Sequence, residues 1–164
     1  MKLRTRGISG TRNKAESERE RAHRVIARKA AAEGIVLLEN NGVLPLKKGS
    51  KVALYGGGAR HTIKGGTGSG SVNNRSNVSI DEGLRNAGFT VTTDAWLDEY
   101  DAAYEKSYEE WKDYIYEMSE PGNFDSLYRA HASHPMQMPK GSAITKTEAA
   151  DAIYVISRVS GEGA

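Results

Sequence analysis

Cysteine is absent from the 164-residue chain. That excludes a disulfide scaffold, a thiolate metal site and a cysteine nucleophile. Long apolar runs are missing too. No stretch approaches the roughly 18 residues of a membrane span, so no membrane partner is expected. The opening MKLRTRGISG is basic, but no apolar segment follows it. Without that segment a secretory signal is not expected, and the expected location is cytoplasmic. Neither sign of charge dominates: 23 Lys and Arg stand against 21 Asp and Glu, a formal net charge of +2. The concentrated positive field of a nucleic-acid binder is therefore lacking, and no nucleic-acid partner is expected. The length suits one ordinary domain.

Glycine is what the chain has in excess, with 18 residues against an average usage of about 7%. Seven of them lie between Gly56 and Gly70, so this stretch is the first place to look for function. Two phosphate-binding patterns are tested there and fail. A P-loop needs G-x-x-x-x-G-K-[ST], and no glycine is followed by Lys and a hydroxyl residue in that frame. A dinucleotide fingerprint needs G-x-G-x-x-G after the first strand. Gly56 and Gly58 supply two positions but His61 occupies the third, and from Gly66 and Gly68 the third is Ser71. What survives is a flexible loop whose backbone N–H groups can approach a ligand, or a plain surface turn.

Residues 1–14 are basic and without apolar periodicity, and are read as a flexible arm. Residues 15–164 are read as the folded part. A helix is expected from Ala15, with Ser17 and Glu20 as a capping box and Gly34 as its stop. Ile35–Leu38 either extends that helix or begins a strand. Asn40-Asn41-Gly42 is turn chemistry, and Leu44-Pro45-Leu46 reads as a buried extended connector. Strands are expected at Lys51–Tyr55, Phe89–Thr93 and Ile153–Arg158, with a helix over Ser79–Gly88. From Leu97 to Met118, Tyr100, Tyr104, Tyr108, Trp111, Ile115 and Met118 keep helical spacing. Such an aromatic stripe can hold sugar rings, but more often packs on a neighbour. Residues 121–143 carry three of the four prolines and read as irregular, with a helix resuming from Thr145 through Ala150. The order helix, strand, helix, strand, helix, helix, strand argues an α/β fold with a mainly parallel sheet. Three strands make a thin sheet, so the sheet is expected to be incomplete at its C-terminal side.

Other chemistry is sparse. His131 and His134 sit three apart but in a segment read as loop, without a carboxylate at helical spacing, so no metal is expected. Ser69 and Ser160 sit among small residues, yet neither forms G-x-S-x-G. Glu162 is the sharpest single residue. It follows a predicted core strand at its carboxyl end, where open α/β sheets bind ligands, and lies between two glycines. By itself such a residue is more often a solvated loop carboxylate.

Three runs taken together resemble glycoside hydrolase family 3. They are Ala30-Ala31-Ala32-Glu33-Gly34-Ile35-Val36-Leu37-Leu38-Glu39-Asn40-Asn41-Gly42-Val43-Leu44-Pro45-Leu46, then Lys51–Gly56 with Gly65–Gly70, then Ala149–Arg158 leading into Ser160-Gly161-Glu162-Gly163. Their order and spacing carry the resemblance, which spans about residues 22–164. It implies the front part of a partial (α/β)6-type sandwich domain that packs against a catalytic barrel absent from this chain. It implies β-glucosidase-like hydrolysis of a β-linked glycoside with no cofactor. Glu162 would be the general acid/base, and a Gly-Ser loop with Lys64, Thr67, Gly68 and Ser69 would bind the substrate. The nucleophile would be an Asp in a Ser-Asp-Trp motif on the barrel; Asp94-Ala95-Trp96 does not match it. The chain ends at Ala164, where the family continues into an Asp-Arg pair, and a Met so near the domain suggests a member with the barrel encoded downstream. The alternative is a non-catalytic α/β module that binds a sugar or phosphate.

Overall fold

The computed structural model describes residues 15–66, 70, 72 and 74–158. The expectations for the 1–14 arm and for Thr67, Gly68, Ser69 and Glu162 lie outside them. The described chain divides into two compact units, one ending at Pro45 and one beginning at Leu46.

The first unit contains one helix, α1 (Glu18–Gly34). Its start is the expected capping box. The Ser17 hydroxyl accepts from Glu20 N–H at 3.2 Å, and Glu20 Oε2 accepts from Ser17 N–H at 2.7 Å. The helix ends at Gly34, and Ile35 is already extended. Ile35–Leu38 neither lengthens the helix nor forms a strand, and its side chains are exposed. Of the connector, Leu44 is half exposed rather than buried, while Leu46 is partly buried against the core. The turn before it forms as expected: Asn40 Oδ1 accepts from the N–H groups of Gly42 and Leu44, and Gly42 takes a positive φ.

The second unit is α/β, as the element order predicted. Its parallel sheet runs β2 (Thr90–Val91), β1 (Lys51–Tyr55), β3 (Asp151–Tyr154), with β1 in the middle. A strand paired on both sides and covered on both faces must be apolar throughout. Accordingly Val52, Ala53, Leu54 and Tyr55 are all buried. β1 and β2 are joined through α2 (Ile80–Asn86), which Ser79 caps by accepting from Glu82 N–H. At its other end Phe89 N–H reaches Leu84 O and Gly88 N–H reaches Arg85 O, with Gly88 at positive φ. That is the Schellman arrangement, and it explains the glycine stop.

β2 is shorter than the FTVTT run suggests, because side chains take over from the backbone. The Thr93 hydroxyl accepts from Leu54 N–H at 2.9 Å and donates to Leu54 O at 2.6 Å, continuing the ladder by one residue. Thr93 is also the N-cap position of α3 (Asp94–Met118), where its side chain makes no capping bond.

α3 does not return across the sheet as a crossover helix. Thr93 meets Leu54, Trp96 meets Tyr55, Tyr100 lies against Gly57 and Tyr104 stacks on His61. The helix therefore runs in the direction of β1 and continues past the carboxyl edge of the sheet. The 14 residues after Tyr104 extend about 20 Å farther. A further helix, α4 (Phe124–Ser133), packs back on α3. The return segment then descends beside it. Gly141 and Ser142 lie against Trp96, Thr145 O accepts from Tyr55 Oη, and Thr147 meets Thr92.

These contacts correct two expectations. Residues 121–143 contain α4, capped by Asn123 accepting from Ser126 N–H. Residues 145–150 are not helical, because their hydroxyl and carbonyl groups are bound sideways to β1 and β2 and Glu148 pairs with Lys51. The predicted order of elements thus holds, but through a different helix.

Candidate functional site

β1 leaves the sheet through Gly56, Gly57 and Gly58, and packing dictates all three. Gly56 has φ +94°, and a Cβ there would overlap the carbonyl of Val155. A Cβ on Gly57 would strike the Tyr100 hydroxyl, and one on Gly58 would come within 2.7 Å of Val155 Cγ1 and 3.2 Å of Ser157 Cβ. Gly56 and Gly58 are buried. With two of its three glycines buried, this turn is not a plain surface turn, which corrects that alternative for Gly56–Gly58. Here the exits of β1 and β3 stay in contact side by side, Gly56 against Val155 and Gly58 against Ser157.

The Gly-rich loop springs from this turn on a closed neck. Asp81 N–H donates to Ala59 O at 3.0 Å. The Thr62 hydroxyl donates to Gly58 O at 2.7 Å and accepts from Ile80 N–H at 3.1 Å, while Asn77 Nδ2 donates to Thr62 O. Farther out, Gly65 lies so close to the Gly70 carbonyl that no Cβ would fit between them. Lys64 stands exposed on this loop. Of the expected substrate-binding residues, it alone is described. Beside the neck, β3 continues as extended chain: Val155 N–H donates to Tyr55 O at 2.8 Å, and the chain runs on to Arg158. The stems of the Ser69 segment and the Glu162 segment thus leave one edge of the sheet from neighbouring strands.

A charged network that sequence reasoning missed braces the same edge. Arg60 Nε binds Asp81 at 3.0 Å, its Nη1 binds Asp98 at 2.6 Å and Asp101 at 2.8 Å, and its Nη2 binds Asp94 at 3.2 Å. Arg85 binds Asp81 and Asp94. His61 Nε2 lies 2.9 Å from Asp101, and its ring stacks on Tyr104 at 3.8 Å. Burial by itself would lower the Arg60 pKa, but hydrogen bonds to Asp98, Asp101 and Asp81 more than reverse it, so it is held above its ordinary value. The hydrogen bond and charge of Asp81 raise Arg85 likewise, against the opposing effect of its burial. All four carboxylates are engaged with guanidinium groups, so the network braces this edge of the sheet. A sequence signal existed: Asp94, Asp98 and Asp101 share one helical face, as do Asp81 and Arg85.

The aromatic stripe serves packing at its first half. Trp96 meets Tyr55 edge-on at 5.3 Å and stacks with Tyr100 at 5.5 Å, and all three are buried. Among the described residues no His, Asp and Glu cluster has the arrangement of a metal site, and no helix is long and apolar enough to cross a membrane.

Comparison with known proteins matches residues 35–164 to the glycosyl hydrolase family 3 C-terminal domain. β-Glucosidase A of Butyrivibrio fibrisolvens is 34% identical over 142 residues, which are 86% of this chain and 15% of that protein. A β-glucosidase of Ruminococcus albus is 35% identical over 135 residues, 80% of this chain and 13% of that protein. Among solved structures, β-glucosidase 3B of Thermotoga neapolitana in complex with α-D-glucose superposes with a TM-score of 0.54 at 32% identity. That match covers 92% of this chain and 20% of the other. The chain therefore spans about one seventh of the length of the curated relatives it matches.

Proposed function

The chain belongs to glycosyl hydrolase family 3, and we propose that it supplies the acid/base side of a retaining β-glycosidase of β-glucosidase type. The observation that supports this reading is the common edge: the stems carrying the Ser69 loop and the Glu162 segment leave β1 and β3 side by side. In the proposed mechanism Glu162 protonates the leaving oxygen and then deprotonates water. Lys64, Thr67, Gly68 and Ser69 cover the sugar at the cleavage position. The nucleophile comes from a barrel outside this chain and attacks the anomeric carbon. A retaining mechanism places the two carboxyls about 5–5.5 Å apart. The acid must stay protonated near neutral pH, which burial or the second carboxylate achieves by raising its pKa. The substrate is a terminal β-linked sugar of an oligosaccharide or glycoside.

The test is kinetic. The 164-residue chain alone should not turn over an aryl β-glucoside, since it carries at most one of the two carboxyls. In the protein that joins this domain to its barrel, Glu162→Ala should slow a natural disaccharide by about 10²–10⁴-fold. Activated aryl glycosides, whose leaving groups need little protonation, should suffer far less, and added azide should restore turnover by attacking the glycosyl-enzyme without a base. Ser69→Ala should weaken all substrates alike, by about 0.5–1.5 kcal/mol. Unchanged kinetics of Glu162→Ala on both substrate types would remove this residue from the mechanism.

A further inference from the structure

Beyond Tyr104, α3 and the chain from Ser133 onward form an open groove of about 530 Å³. Its volume is that of a small-molecule site. Ser107, Glu110, Trp111 and Tyr114 line it from one face of α3, and His134 and Gln137 line it from the chain after α4. Its aromatic walls are held in place. The Trp111 indole N–H donates to His134 O at 2.6 Å, and the Trp111 ring meets His131 edge-on at 5.0 Å. Tyr114 meets the His134 ring edge-on at 5.4 Å. His134 Nδ1 lies 3.1 Å from Ala130 O, a carbonyl that can only accept, so Nδ1 carries a proton and donates to it.

The polar groups of the groove are lightly committed. Gln137 reaches only the carbonyl of Pro135, at 3.4 Å, and Glu110 pairs with Lys106 at 3.8 Å. No Arg or Lys lines the groove, and its one carboxylate would repel a phosphate or another carboxylate. Flat rings with a rim of amide, hydroxyl, imidazole and carboxylate match a neutral hydroxylated ring, which offers C–H faces to the aromatics and hydroxyls to the rim.

We propose that this groove is a saccharide-binding site, additional to the Lys64, Thr67, Gly68 and Ser69 loop, that takes a neutral oligosaccharide without chemistry. The choice of a β-linked glucan as probe rests on the glycosidase reading above; the groove itself does not.

The test uses the 164-residue chain, which has two tryptophans, Trp96 and Trp111. Labelled with 5-fluorotryptophan, it gives two ¹⁹F resonances, assigned with Trp111→Phe. Added cellotetraose should shift Trp111 saturably and leave Trp96 in place, and the unmoved Trp96 signal reports an intact core. Gln137→Ala should weaken the titration about 3- to 10-fold, the effect of one neutral hydrogen bond. A linear, non-saturating shift, an equal shift of both resonances, or a response to inorganic phosphate in place of the sugar would overturn the proposal. Saturation that persists in Glu162→Gln supports the groove even if the acid/base reading fails. Glu162-dependent turnover with no Trp111 response sinks the groove alone.

Discussion

Replacing Thr93 by valine tests whether one hydroxyl completes the sheet. The exchange keeps shape and nearly keeps volume, so little else changes. On the β2 side, Thr92 N–H serves Val52 O at 3.0 Å, and the next rung is made by Thr93 Oγ1 alone, to Leu54 N–H and Leu54 O. Leu54 is fully buried and Thr93 is 5% exposed, so water cannot replace the lost partner. Each orphaned buried group costs about 1–3 kcal/mol. Two groups, less the gain from burying a methyl in place of a hydroxyl, give a net loss of about 2–4 kcal/mol. Thr93→Ser is the contrast. It keeps both hydrogen bonds and loses one methyl, for about 1 kcal/mol. The expected order of stability is wild type, then serine, then valine, so the most hydrophobic of the three side chains is the least stable. Urea denaturation followed by tryptophan fluorescence reads it. With a slope of about 2 kcal/mol per molar, valine should lower the midpoint by about 1–2 M. A valine variant as stable as serine or more so would refute the argument.

Arg60→Ala should destabilise by about 2–3 kcal/mol, because Asp81 is buried and would keep only Arg85; the 3–5 kcal/mol of a broken buried pair is reduced by the exposure of Asp94 and Asp98. A melting temperature unchanged from wild type would show that the network is ornamental to stability. Gly56→Ala should cost more than about 3 kcal/mol, since the positive φ and the overlap with the Val155 carbonyl add; a well-folded Gly56→Ala chain with native amide-exchange protection in β3 would contradict the close contact described. Burial raises Tyr100 and Tyr104 above their ordinary value of 10.0. A raised phenol contributes stability that is complete below the unfolded-state pKa and lost as pH climbs through the folded one. Unfolding midpoints should therefore fall above about pH 10, and less so in Tyr100→Phe; an equal fall in both would separate the alkaline loss from Tyr100.

Local chemistry made much of this protein legible from its sequence. The Ser17 capping box, the Asn40 turn, the Ser79 cap and the Gly88 stop are set by neighbours a few residues away, and each forms where the residues place it, while the all-apolar run Val52–Tyr55 marks the central strand by composition although its partners are distant. The ordered motifs carried the family as well, since spacing along the chain is itself sequence information. Tertiary structure decided what depends on partners far along the chain. Residues 145–150 have helix-compatible composition, yet Tyr55 and Thr92, 90 and 55 residues away, hold Thr145 and Thr147 in an extended segment. The Gly56–Gly58 turn reads as flexible until Val155 and Tyr100 close on it. The Asp94, Asp98 and Asp101 face looks solvated until Arg60, joined to β1, binds it and holds α3 upright past the sheet edge. Hydrogen bonds within one turn of helix need no folded context, whereas a buried ion pair or a contact between strand exits exists only after the chain has brought distant residues together. That is why the caps and turns could be read directly, and why the bounds of β2 and of β3, expected at Ile153–Arg158 and found at Asp151–Tyr154, and the direction of α3, and with it the groove, could not.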